Sequence, residues 1–206
     1  METIGSSAIE WGCASRALPG EATSGDLQVV KPFPGGVLIA VLDGVGHGSE
    51  AAAAAAMAGA ILENHAADLV IELVRQCHEA LRATRGVTMS VASFNVAERL
   101  LTWLAVGNVE GVLLRQSRAD AMAEESLLLR PGVVGLRLPA LEAEVVPISD
   151  GDLLIFTTDG VQSVSTRGLA GSRVSPQRTA ESILARYGRT NDDALVLVAR
   201  FLSGRS

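Results

Sequence analysis

The chain has almost no lysine. Lys31 is the only one, and every other basic side chain is an arginine. With 17 basic against 23 acidic residues the formal net charge is -6, so the chain lacks the basic field that non-specific nucleic-acid binding requires. Aromatic residues make up only 3%, which leaves an aliphatic core. The two cysteines, Cys13 and Cys77, form neither a close pair nor a metal-ligand spacing. Reduced core thiols in a cytoplasmic protein are expected, not a disulfide. No apolar run approaches the roughly 20 residues that a bilayer span needs, and Glu2 stands where a secretory leader would carry positive charge. The expected setting is therefore cytoplasmic, with no nucleic-acid partner and no membrane.

What is present is a foldable chain. Its 206 residues are 48% apolar, enough for one domain, residues 1–206, with a substantial core. Strands are expected over Ile9–Leu18, Leu27–Lys31 and Val37–Leu42, the last two forming a hairpin through Pro32-Phe33-Pro34-Gly35-Gly36. Ser49 is placed as the cap of a helix through the alanine tract, Ala51–Leu62. A second helix is expected over Asp68–Thr84, with Leu69, Leu73, Cys77 and Leu81 on one buried face and Gly86 ending it.

From Val87 the period of the pattern changes to two. Strands are expected over Val87–Val96, Arg99–Val106 and Val109–Arg115, with Gly107-Asn108 as a tight turn between the last two. Gln116–Ser126 reads as a loop or short edge element. Leu127–Arg130, Arg137–Pro147 and Leu153–Thr158 are further strand candidates, and Gly168–Pro176 a loop. A helix over Pro176–Tyr187, with proline in its first turn, and a strand over Ala194–Leu202 complete the chain. Strands cluster with strands and helices with helices. The class is α+β, layered, with mainly antiparallel sheet.

The chemistry gathers where apolar runs stop. Val37–Leu42 ends in Asp43-Gly44-Val45-Gly46-His47-Gly48. The glycine spacing is that of neither a dinucleotide fold nor a phosphate-binding P-loop, and Asp43 would repel a pyrophosphate lying on the turn. A hard divalent cation reverses that argument, because Mg²⁺ and Mn²⁺ take carboxylate and carbonyl oxygens. Asp159, Asp192 and Asp193 also end or begin apolar runs, and Asp26 precedes one. By pattern alone these acids are either solvated turn residues or a convergent cation site.

Five motifs in order narrow the choice. Ser24-Gly25-Asp26, Asp43-Gly44-Val45-Gly46-His47-Gly48, Gly107-Asn108-Val109, Thr158-Asp159-Gly160-Val161 and Asn191-Asp192-Asp193 together resemble the metal-dependent protein phosphatase (PPM) family in its bacterial SpoIIE branch. The segment from Gly132-Val133-Val134-Gly135-Leu136 to Asp159 is also similar to that branch. The resemblance implies a four-layer α-β-β-α sandwich with two mainly antiparallel sheets and two Mn²⁺ or Mg²⁺ ions at one end. It places Asp43 between both ions, Gly44 as a carbonyl ligand and Asp26 on the first ion. Asp159 and Asp192 then hold the second, with Asp193 as the alternative to Asp192.

These acids would act through the ions and their bound water, attacking phosphorus in line. The implied activity is removal of phosphate from serine or threonine of STAS-domain or stressosome-type signalling proteins in a bacterium. A non-catalytic docking module of the same fold is the rival, and a nucleotide enzyme the third choice. His47 is a possible proton donor to the leaving oxygen, but a loop-structuring role ranks above that. His65 and His78 receive no role. Asn108 reads first as a hairpin residue. Arg16 is a poor match for the phosphate-binding arginine of eukaryotic relatives.

Overall fold

A computed structural model describes residues 8–116, 124–166, 169 and 174–202. The elements, in chain order, are β1 (Ile9–Arg16), β2 (Asp26–Phe33), β3 (Gly36–Gly44), α1 (Ser49–Asn64), α2 (Val70–Ala80), β4 (Val87–Asn95), β5 (Leu100–Val106), β6 (Glu110–Leu114), β7 (Glu124–Ser126), β8 (Glu144–Pro147), β9 (Leu153–Thr157), α3 (Pro176–Tyr187) and β10 (Ala194–Phe201). They build two antiparallel sheets, ordered β1-β10-β9-β6-β7 and β2-β3-β4-β5-β8. Helices α1 and α2 cover the outer face of the second sheet, and α3 covers that of the first. The result is the expected α-β-β-α sandwich.

The layers explain the apolar runs. In β3, Val37, Ile39 and Val41 face the opposing sheet, while Leu38, Ala40 and Leu42 face the helices. A strand buried on both sides cannot alternate with polar residues. Strand β10 does the same: Leu195 and Leu197 point between the sheets, and Val196 and Val198 point toward α3. The few large aromatics are concentrated in the inter-sheet layer, where Phe94, Trp103, Phe156 and Phe201 are buried. The alanine tract serves close packing, with Ala54, Ala55 and Ala58 of α1 fully enclosed.

Several local expectations are corrected. Ser49 is the first residue of α1, not its cap. Gly48 holds the cap position, and no side chain caps the helix. Helix α2 is shorter than Asp68–Thr84, and Leu69 is its extended N-cap, 77% exposed. Val70 takes the buried place instead, beside Leu73, Val74 and Cys77. Leu127–Arg130 is not a strand; the short edge strand is β7, just before it. Of Arg137–Pro147, only β8 forms a strand, paired with β5, while Arg137 makes an isolated bridge to Val133. Gly107-Asn108 is not a hairpin turn, because β5 and β6 belong to different sheets. A turn and a sheet-to-sheet crossing share the same local residues, and only the long-range pairing separates them. Much of Gly168–Pro176 and of Gln116–Ser126 lies outside the described residues.

Both cysteines are free. Burial pushes the Cys77 thiol up to about 12 and that of Cys13 to about 11, so both stay protonated and unreactive. No helix among the described residues is long and apolar enough to cross a membrane.

Candidate metal centre

The topology delivers the acids to one end of the sandwich. Asp26 opens β2 and lies directly opposite Asp43, near the end of β3. Like charges facing across an antiparallel pair are destabilising unless something offsets them. Asp159 lies two residues beyond β9. Asp192 and Asp193 immediately precede β10, which pairs with β9. Two hairpin-like junctions, one in each sheet, therefore present their acids to each other.

Each acid has its own surroundings. Asp26 is buried, and its Oδ2 accepts from the Thr158 hydroxyl at 2.8 Å. Burial first, and then the neighbouring Asp43, push its carboxyl up to about 8, with Asp193 and Asp159 adding and the Thr158 hydrogen bond opposing. Asp43 is raised to about 7, first by burial, then by Asp159, Asp192 and Asp193, with Asn108 opposing. No cation figures among these causes. Asp159 is exposed, and its Oδ2 accepts from the Asn108 amide at 2.6 Å. Asp192 is half-buried and accepts only from the next backbone N–H, at 2.9 Å.

Asp193 differs from all of these. It is buried, and both its oxygens are engaged by distant backbone: Leu18 N–H at 2.7 Å and Gly25 N–H at 2.8 Å. It ties the β1–β2 loop to the β10 junction. Gly44 ends β3, and its N–H donates to the Gly25 carbonyl at 3.1 Å. A Cβ on Gly44 would lie 2.2 Å from the Ala51 carbonyl oxygen, so only glycine lets α1 start this close to the acid turn.

Sequence reasoning missed two members of this end. Asn108 joins the halves of the site, donating to Asp159 and accepting from the Thr88 hydroxyl. Thr158 bridges the sheets by donating to Asp26 and accepting from Leu195 N–H at 2.9 Å. Both residues stand inside motifs already singled out. The missing signal was the crossing between sheets.

The histidines sort themselves. His47 is exposed and its Nδ1 lies 2.8 Å from Glu21 Oε1, which ties it to the β1–β2 loop. His65 is exposed beside Asp68. His78, given no role by the sequence, accepts from Gly135 N–H at 2.9 Å through Nδ1. Arg16 turns its guanidinium to the Arg189 carbonyl, and its buried Nε has no hydrogen-bond partner among the described residues.

Among the described residues, no three His, Cys, Asp or Glu side chains stand as a ready ligand cage. Each acid is tied instead to a neutral donor. The donor chemistry nonetheless fits a hard divalent cation: all-oxygen carboxylates, two of them, Asp26 and Asp43, raised toward neutrality by burial and by neighbouring acids.

Comparison with known proteins gives the family. The model of the family described as Stage II sporulation protein E (SpoIIE) matches residues 34–202. The chain belongs to the SpoIIE branch of the metal-dependent protein phosphatases. The phosphoserine phosphatase RsbX of Bacillus subtilis (strain 168) is 27% identical over 186 residues, 89% of this chain and 90% of that protein. A solved chain described under "The bacterial stressosome: a modular system that has been adapted to control secondary messenger signaling" is 33% identical, with a TM-score of 0.85 over 93% of this chain and 99% of its own. The crystal structure of RsbX in complex with magnesium shares the fold, with a TM-score of 0.83 at 23% identity over 94% of this chain and 96% of that one.

Proposed function

We propose that this chain is a protein serine/threonine phosphatase that uses two Mn²⁺ or Mg²⁺ ions and removes phosphate from STAS-domain or stressosome-type signalling proteins in the bacterial cytoplasm. The observation that carries this reading is the pair of facing carboxylates, buried Asp26 and half-buried Asp43, raised to about 8 and about 7 by burial and by the acids gathered around them. Such a pair favours a divalent ion over two protons as soon as one is available. The similarity to RsbX along nearly the whole chain supports the substrate class.

In this reading Asp26, Asp43 and the Gly44 carbonyl would hold one ion, and Asp43, Asp159 and Asp192 would hold the other. On the same reading Asp193 is not a ligand but holds the β1–β2 loop, with the Leu18 and Gly25 N–H groups on its two oxygens. Ions held there would supply the Lewis acidity that activates a water toward phosphorus and offsets the charge of the phosphoryl oxygens. The chain's own residues prepare that chemistry. Asn108 and Thr158 fix the rotamers of Asp159 and Asp26 across the sheet gap. Without cations the acids repel a phosphate, so turnover is gated by metal. In this reading His47, bound to Glu21, holds the turn shape.

The test is turnover of p-nitrophenyl phosphate and of a phosphorylated STAS-domain protein. Mn²⁺ should support both, chelator should stop both, and Asp43→Asn should lower kcat by at least about a hundredfold. Full activity in chelator, or full activity of Asp43→Asn, would refute the two-metal reading. Retained binding of the STAS-domain protein with no turnover in any metal would favour the non-catalytic module.

A further inference from the structure

We infer that the turn Gly132–Arg137 is a fixed docking point for the phosphoprotein substrate, with Leu136 receiving an apolar side chain and Arg137 an acidic one close to the phosphorylated residue. The inference rests on the phosphatase reading. Three features carry it.

The turn is held rigidly. Val133 N–H donates to the Arg137 carbonyl and Arg137 N–H to the Val133 carbonyl, both at 2.9 Å, and Leu136 N–H donates to the Val133 carbonyl at 3.1 Å. Gly135 sits at φ +102°, a left-handed conformation that favours glycine. Its N–H is fixed to His78 Nδ1 on α2 at 2.9 Å. Val134 is buried in the core beneath α2 and pairs both ways with Val87, at 3.0 and 2.8 Å. This explains His78, which the catalytic reading leaves unused.

The rigid turn exposes what it carries. Leu136 is 58% exposed although its neighbours Val134 and Gly135 are buried. Arg137 is exposed and has no ion pair among the described residues. A leucine displayed on a turn with this many fixed bonds loses little entropy on contact, which favours recognition over chance exposure. Scattered exposed hydrophobics elsewhere lack that frame.

The turn adjoins the acid end. The Gly86 carbonyl accepts from Val45 N–H at 3.1 Å, two residues from Asp43, and a Cβ on Gly86 would lie 2.5 Å from the Val134 carbonyl oxygen and 3.4 Å from Leu136 Cγ. The Gly107 N–H donates to the Arg130 carbonyl at 2.9 Å, next to Asn108. Arg85, which reaches toward Gly46 and pairs with Glu50, borders the same side. A phosphoserine at the carboxylates therefore brings its flanking residues against Leu136 and Arg137. An acidic protein with a local arginine there selects an acidic flank by charge complementarity.

The test compares two synthetic phosphoserine peptides with Mn²⁺, one flanked on both sides by Leu-Glu pairs and the other by Gly-Ser pairs, using p-nitrophenyl phosphate as the reference ester. The wild type should favour the Leu-Glu peptide by about tenfold in kcat/KM. In Leu136→Asp that preference should fall to near unity, and in Arg137→Glu the acidic part of it should be lost, each measured relative to the same variant's reference ester. Equal use of both peptides by the wild type, or an unchanged preference in both variants, overturns the inference while leaving the phosphatase reading intact. Dimerisation of the wild type that is lost in Leu136→Asp, without any peptide preference, would assign the turn to a second copy instead. Absence of turnover on the ester and on both peptides removes both readings together.

Discussion

Adjacent acids at the head of β10 do different work, and chemistry at the level of single atoms separates them. Asp193 satisfies two backbone N–H groups from a loop about 170 residues away in sequence. Asp192 satisfies only its neighbour. Removing Asp193 leaves two N–H groups without acceptors, at about 1–3 kcal/mol each. Asp193→Ala should therefore lower the metal-free melting temperature by several degrees. Asp192→Ala should change stability by no more than about 1 kcal/mol and abolish tight Mn²⁺ binding in titration calorimetry. The reverse pattern would exchange their roles. The sequence showed the pair but not the difference, since both residues are acids beginning the same strand and only the distant Leu18 and Gly25 distinguish them.

Elements were legible wherever burial is two-sided or periodicity is long. Strands β3 and β10 read as unbroken apolar runs because both faces are covered, and α3 announced itself by Pro176 in its first turn, to which the structure adds Ser175 as the cap. Boundaries were not legible at α2. A four-residue stagger starting at Leu69 looks the same on paper whether the helix begins at Asp68 or Val70, and the extended backbone of Leu69 (φ -63°, ψ 138°) decides it. That misplaced leucine gives a prediction. An exposed apolar residue at an N-cap offers no acceptor to the first turn of α2, and the cap makes no side-chain hydrogen bond. Leu69→Ser supplies one at little packing cost. It should stabilise the fold by about 0.5–2 kcal/mol, read as a higher urea midpoint at unchanged slope. A lower midpoint would mean that Leu69 packs on something in solution.

For the whole molecule, the acid end is where folding and function oppose each other. The sandwich brings Asp26, Asp43, Asp159 and Asp192 together because each ends or begins a strand on the same rim, and a sequence shows that they are strand-end acids. Their shared rim follows only from the pairing of β2 with β3 and of β9 with β10. The cost is visible in titration. In the unfolded chain Asp26 and Asp43 ionise near 3.8, whereas folded they hold protons up to about 8 and about 7. The folded protein thus binds more protons than the unfolded one between about pH 4 and pH 8, and linkage requires its stability to fall as pH rises through that window. A divalent ion bound there, as proposed, would take the place of those protons and offset the repulsion. Its stabilisation grows with the deprotonated fraction as well as with its own concentration. In chelator the melting temperature should decline from pH 5 to pH 8, and saturating Mn²⁺ should flatten the decline, with a larger gain at pH 8 than at pH 6. In Asp43→Asn one of the two raised carboxylates is gone. The metal-free decline should shrink and most of the Mn²⁺ gain should disappear. A metal-free melting temperature that rises over this range, or a Mn²⁺ gain independent of pH, would show that the facing pair is not what the cation replaces.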